Sequence, residues 1–218
     1  MLSCSPERFL RHDSNGLCSM RPMKGTVRKS EAVSTLAQAE KILHVPKEVA
    51  ENLMIVDLVR HDLHGVCGVG NVTVPDLMKV EEYATVFQMI TVVNGQLPRQ
   101  GHKTDGSRRG SLTHHSPYTG LDACEILQVI EGRQERSLYS GVVGYMDITG
   151  AGDWSVTIRT MFRWDDEEAP PEEGETEPRE VWRIGAGGAV TILSTPEGER
   201  DEMFTKLAGP LGVFRDAA

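Results

Sequence analysis

The stretch SLYSGVVGYMDITGAGDWSVTIRTMFRW, residues 137–164, decides the fold class. Both arms are rich in β-branched and aromatic residues, which suit a pleated, half-buried surface. The glycine-rich TGAG between them is turn chemistry. The stretch therefore predicts a hairpin of two long antiparallel strands, over 137–148 and 153–164. Upstream, VGNVTV (69–74) and YATVFQMITVV (83–93) read as strands for the same reason. Helical patterns alternate with them. SEAVSTLAQAEKIL (30–43) predicts a helix capped by Ser30, and a second helix follows Pro46, with Val49, Leu53 and Val56 on one stripe. DACEILQVIEG (122–132) predicts a helix capped by Asp122 and stopped by Gly132. VWRIGAGGAVTIL (181–193) returns to strand, and Thr195-Pro196 opens a last helix. Long antiparallel strands interspersed with helices make an α+β protein. There is no repeat and no evident domain boundary, so residues 1–218 read as one domain.

Composition narrows the function classes. The 218 residues carry a formal net charge of −9, with 39% apolar and 25% charged residues. That is a globular composition, and its sign argues against nucleic acid, whose phosphates call for a basic face. No apolar run is long enough to span a bilayer, and MLSCSPERFL lacks the basic-then-apolar profile of a signal peptide. The four cysteines are scattered without a CxxC pair, which fits a reducing, cytoplasmic compartment rather than a zinc site. Residues 165–180, DDEEAPPEEGETEPRE, are acidic and proline-bearing with no apolar face. They predict a solvated loop, or a docking site for a basic partner.

Candidate chemistry starts at MRPMKGTVRK, residues 20–29. Pro22 stiffens the chain and Gly25 permits a sharp bend, so Lys24 is presented on a rigid turn. A solvated surface lysine would look the same. Glu199 and Glu202 share a helix face with Lys206 one turn beyond, a pattern that solvated helix residues also produce. The cluster Gly185, Gly187 and Gly188 suits either an anion-facing backbone or a tight strand crossing.

Taken in order, SPERFL, RPMKGT, AENLMIVDLVRHDL, GVVGYM, WSVTIRT, GAGGAV and ERDEMFTK resemble the chorismate-utilising enzymes, the family of anthranilate synthase component I and para-aminobenzoate synthase component I. The resemblance implies a large α/β sandwich of antiparallel sheets and helices, of which this chain matches the C-terminal half. At the lysine position, anthranilate and isochorismate synthases normally read PIAGT and aminodeoxychorismate synthases PIKGT; here the motif is PMKGT. The resemblance thus implies that Lys24 is a nucleophile towards chorismate. The product would be 4-amino-4-deoxychorismate, feeding para-aminobenzoate and folate synthesis. An amine that attacks must be unprotonated, whereas a free lysine titrates near ~10.4.

Further roles follow from the same resemblance. Glu51 and Glu202 would hold Mg²⁺, a hard cation that takes one or two carboxylates and leaves its other positions to water and substrate. Glu7 would be a general acid at the leaving hydroxyl. Arg159 would bind a substrate carboxylate through its two-pronged guanidinium. Tyr145, Thr113, Gly185, Gly187, Gly188 and Lys206 would contact substrate. Ammonia would come from a glutamine amidotransferase domain or subunit. The implied alternatives are an inactive truncated fragment and an anthranilate synthase-like enzyme.

Two departures stand out. A histidine common in the bacterial enzymes is replaced by Gln88, which cannot shuttle a proton. The motif GGSxTGAPK is not completed after Gly110, Ser111 and Thr113. With both borders of the segment matching well, residues 106–123 read as an out-of-frame version of that loop.

Overall fold

The computed structural model describes residues 1–98, 120–172, 174, 176–188 and 190–214. They form two compact units. One comprises residues 7–134 and 144–154, the other residues 1–6, 135–143 and 155–218.

In the first unit the organising element is a central, almost fully buried strand, β6 (Val86–Gln96). On one side it pairs antiparallel with two successive strands, β3 (Leu17–Arg21) and β4 (Met23–Arg28). These run as one line broken at Pro22, which lacks an N–H to continue the ladder. The Pro22 carbonyl instead accepts the Thr91 N–H at 3.1 Å. The other edge of β6 carries β5 (Val72–Glu82). β5 contains Pro75 and two register shifts, features that an edge strand tolerates. β2 (Arg8–His12) lies outside β3, and β8 (Gly152–Val156) and β7 (Val142–Met146) complete a seven-stranded sheet.

Two helices cover this sheet. α1 (Leu36–Leu43) opens with a capping box in which the Thr35 hydroxyl accepts from the Gln38 N–H and the Gln38 side chain accepts from the Thr35 N–H. Thr35 therefore caps the helix, not Ser30. The box satisfies two backbone donors at once, which a lone serine further upstream cannot match. α2 (Pro46–Cys67) starts on Pro46, whose missing N–H costs nothing in a first turn. Its buried stripe is Asn52, Val56, Val59, Leu63 and Cys67. Leu53, expected on that stripe, is exposed. Leu63, Val59 and Val56 pack with Leu10, Met20 and Val93. Ala39 and Leu43 of α1 pack with Val80, Phe87 and Met89.

The second unit is built on β9 (Thr160–Phe162), which pairs with β1 (Leu2–Ser3) and β12 (Arg183–Ile184). The long strand expected over 153–164 is thus two strands, β8 and β9. Arg159 between them has φ +48, a left-handed backbone that interrupts an extended strand. The strand expected over 181–193 shrinks to β12. The acidic segment 165–180 is largely exposed, as expected. It nevertheless holds a two-residue ladder between β10 (Glu168–Ala169) and β11 (Arg179–Glu180), with Arg179 paired to Glu172 and Arg163 to Glu180. The last helix, α4 (Pro196–Gly212), begins where expected, with the Thr195 hydroxyl accepting from the Gly198 N–H at 3.2 Å.

The helix expected over 122–132 is α3 (Gly120–Ile130), which begins two residues before Asp122. Gly132 follows it with φ +64, as a helix stop should. Mixed helices and antiparallel sheets confirm the α+β class. Among the described residues, no helix is long and apolar enough to cross a membrane.

Candidate active site

The approach of Lys24 to Glu51 begins with a fault in the β4–β6 ladder. Met23 pairs with Ile90 and Thr26 with Gln88, so three steps on β4 oppose two on β6. That is a β-bulge, and it falls on Lys24 and Gly25. Gly25 has φ +84, a conformation glycine adopts without steric cost. The space is also tight. A β-carbon at position 25 would lie 2.9 Å from Leu43 Cδ2 and 3.1 Å from Glu48 Oε2. The bulge re-aims Lys24, whose Nζ lies 3.9 Å from Glu51 Oε2.

Glu51 stands in the first turns of α2, and its side chain is only 11% exposed. A second cation reaches it: Lys47 Nζ lies 3.9 Å from Glu51 Oε1, one helical turn away. Glu51 Oε1 is buried and has no hydrogen-bond donor. It is a hard oxygen with unfilled acceptor capacity, so its chemistry fits a divalent cation. Asn52, the next residue, fixes the helix over the sheet. Its side-chain oxygen accepts from the Thr91 hydroxyl at 2.7 Å, and Thr91 Oγ1 in turn accepts from the Met78 N–H at 3.0 Å. Gln88, on the partner strand beside the bulge, is 2% exposed and donates to Thr26 Oγ1 at 3.5 Å.

Ahead of the bulge, Arg21 is held by Glu81 and by the Tyr83 hydroxyl at 3.2 Å. Tyr83 donates to Glu81 Oε2 at 2.8 Å. Burial, then that hydrogen bond, pushes the Tyr83 phenol above its ordinary value. This triad braces the chain that enters the Pro22 turn. Glu7 is partly buried, and Tyr145 is 66% exposed.

The second unit holds the remaining candidates. On α4, Lys206 Nζ lies 2.9 Å from Glu202 Oε1 and donates to the Gly187 carbonyl at 3.1 Å. Glu199, one turn earlier, accepts from the Ser194 hydroxyl at 2.7 Å. The glycine cluster is explained by close approach. A β-carbon at Gly188 would stand 2.9 Å from Glu199 Oε2, one at Gly187 2.9 Å from the Tyr139 hydroxyl, and one at Gly185 would overlap the Tyr139 ring. Arg159 is partly buried, and its carbonyl accepts from the Cys4 N–H at 3.1 Å. Thr113 and the stretch 106–119 lie outside the described residues.

Sequence reasoning missed Lys47, Tyr139 and Ser194. The i, i+4 spacing of Lys47 and Glu51 was available as a signal. Nothing local marks Tyr139 as the ring that the glycines accommodate. Among the described residues no three His, Cys, Asp or Glu side chains cluster as a ready-made metal cage.

Residues 1–212 match the family described as chorismate binding enzyme. The chain belongs to that family. Within the chorismate binding enzymes, it is 41% identical to the aminodeoxychorismate synthase of Saccharomyces cerevisiae over 98% of this chain and 27% of that protein. It is 35% identical to aminodeoxychorismate synthase component 1 of Salmonella typhimurium, over 95% of this chain and 42% of that one. The chain thus spans between about a quarter and two fifths of the length of these relatives. Among solved structures it superposes on anthranilate synthase component I from Streptococcus pneumoniae with a TM-score of 0.64 and 25% identity, covering 94% of this chain and 42% of that one. That superposition confirms the expected architecture as part of a larger chorismate-enzyme sandwich.

Proposed function

We propose that the chain is the catalytic C-terminal part of an aminodeoxychorismate synthase component I-like enzyme, which converts chorismate and ammonia to 4-amino-4-deoxychorismate. The carrying observation is Lys24, held on a glycine-dependent bulge 3.9 Å from a buried carboxylate. A surface lysine needs neither the bulge nor the tight glycine beside it. The names of the relatives in Saccharomyces cerevisiae and Salmonella typhimurium support the same reading.

In this proposal the neutral Lys24 amine attacks carbon 2 of the chorismate ring, and the hydroxyl at carbon 4 departs as water with a proton from Glu7. Ammonia then adds at carbon 4 and expels the lysine. Arg159 and Tyr145 orient the substrate, with the 185–188 backbone, Thr113 and Lys206 completing the contacts. Glu51 and Glu202 are the residues that would hold Mg²⁺, which would offset the substrate's negative charge. Each of these carboxylates has a lysine side chain within 4 Å, Lys24 and Lys47 at Glu51 and Lys206 at Glu202. Ammonia is supplied by a glutamine amidotransferase, a partner that the component 1 name of the relative supports. The reaction belongs to the cytoplasm.

The within-family alternative is anthranilate synthesis, and the lysine in PMKGT argues against it. The test is product analysis of a form carrying the whole component I domain, supplied with chorismate, ammonia and Mg²⁺. Aminodeoxychorismate is the expected product. Anthranilate or isochorismate would overturn the assignment.

A further inference from the structure

Two cysteines meet in the core far from the candidate site, and nothing in the proposed chemistry uses them. Cys18 on β3 and Cys67, the last residue of α2, are each 2% exposed and belong to the same apolar cluster. Cys18 pairs across the ladder with Gly95 of β6. A β-carbon at Gly95 would lie 2.7 Å from Cys67 Sγ and 3.5 Å from Leu63 Cβ. The helix cysteine therefore fills the hollow that the missing side chain leaves. Directly opposed residues on neighbouring strands have β-carbons about 4.5–5.5 Å apart on one face. Cys18 thus borders the same hollow that the Cys67 sulfur fills. Both thiols are free.

We propose that Cys18 and Cys67 are a redox-responsive pair, which hydrogen peroxide closes into an intramolecular disulfide tying the end of α2 to β3. One of the two sulfurs attacks a peroxide oxygen, breaking the O–O bond and giving a sulfenic acid and water. The other sulfur then displaces the hydroxyl as a second water and forms the S–S bond. Two thiols are oxidised by two electrons, one peroxide is reduced, and both thiol protons end on water.

Interaction with Cys67 lowers the Cys18 thiol against the opposing effects of burial and of Asp13, and interaction with Cys18 together with burial raises the Cys67 thiol. Entry is through the helix end. Cys67 is followed by Gly68 and Gly70, both with left-handed φ, and by Val69 at 90% exposure. Helix termini open locally at little cost, which admits a small oxidant to an otherwise closed core. The bridge lies 16 residues along α2 from Glu51, or about 24 Å at 1.5 Å per residue. It therefore stiffens the helix that carries Glu51 without touching Lys24.

The experiment is peroxide titration of the folded 218-residue chain, followed by alkylation in denaturant and peptide mapping. The expected result is a cross-linked peptide pair containing Cys18 and Cys67, with loss of two hydrogens, reversed by dithiothreitol. A reversible rise in the thermal unfolding midpoint should accompany it, because the bridge restricts the unfolded chain. In Cys67→Ser, Cys18 should instead accumulate as sulfenic or sulfinic acid. Recovery of both Cys18 and Cys67 as alkylated thiols while Cys4 is consumed would overturn the proposal. So would a bridge from either residue to Cys4 or Cys124. The mapping on the unsubstituted chain decides the matter even if the serine variant does not fold.

Discussion

Lys24 Nζ and Glu51 Oε2 stand 3.9 Å apart because a bulge in β4 and the first turns of α2 meet over the same part of β6. The lysine is aimed by Gly25, and the glutamate is fixed by its neighbour Asn52 through Thr91. Each support can be removed separately.

Gly25→Ala should destabilise the first unit by more than about 1 kcal/mol, since alanine would have to adopt φ +84 and crowd Leu43 and Glu48. Urea unfolding followed by circular dichroism measures this. An unchanged midpoint would mean that the bulge relaxes and does not need its glycine.

Thr91→Val keeps the shape but removes a hydroxyl that serves both Asn52 and the Met78 N–H, at a fully buried position. Leaving buried polar groups without partners costs about 1–3 kcal/mol. The same unfolding measurement should show that loss, and Thr91→Ser should recover most of it. Serine no more stable than valine would rule out the hydrogen bonds as the cause.

Much of this arrangement is legible in the sequence, for reasons that differ by element. The Pro46 start of α2 and the Thr195 cap of α4 depend on local chemistry, so reading a few residues suffices. The 137–164 hairpin is readable at its turn, but the break at Arg159 is not. Nothing in TIRT announces a left-handed arginine, and none of it shows that β9 joins a different sheet from β8, flanked by β1 and β12. The Lys24 bulge is half visible. Gly25 signals a bend, whereas the register shift depends on β6, some sixty residues away. The glycine cluster at 185–188 is visible as a cluster, but the Tyr139 ring that requires it is a tertiary fact.

The β7–β8 turn offers a pH test. Asp147 Oδ1 accepts from the Thr149 hydroxyl at 2.6 Å, the Thr149 N–H at 2.8 Å and the Ala151 N–H at 3.1 Å. These bonds, the Thr149 hydroxyl foremost, lower the carboxyl below its ordinary 3.8. A lowered folded value means that the turn's stabilisation is fully present above that ordinary value and disappears as pH falls through the folded one. Carboxyl NMR should place the Asp147 midpoint below that of the same residue in an unstructured peptide. An equal or higher midpoint would contradict the turn geometry.

Ile126, Val129 and Ile130 on α3, together with Met146, Ile148 and Ile192, are all more than half exposed. Exposed apolar surface of this kind favours association. The 218-residue chain by itself should therefore self-associate and turn over chorismate slowly or not at all. Light scattering checks the first point and a product assay the second. A monodisperse monomer, or turnover on the order of 1 per second or faster, would contradict this expectation.

The most direct test of the central claim is intact-mass analysis of a form carrying the whole component I domain, incubated with chorismate in the absence of ammonia. Unsubstituted protein and Lys47→Ala should both gain the mass of chorismate less one water, and fragmentation should place the adduct on Lys24. Lys24→Ala should gain nothing. An adduct at the unsubstituted level in Lys24→Ala would show that the lysine in PMKGT is not the nucleophile.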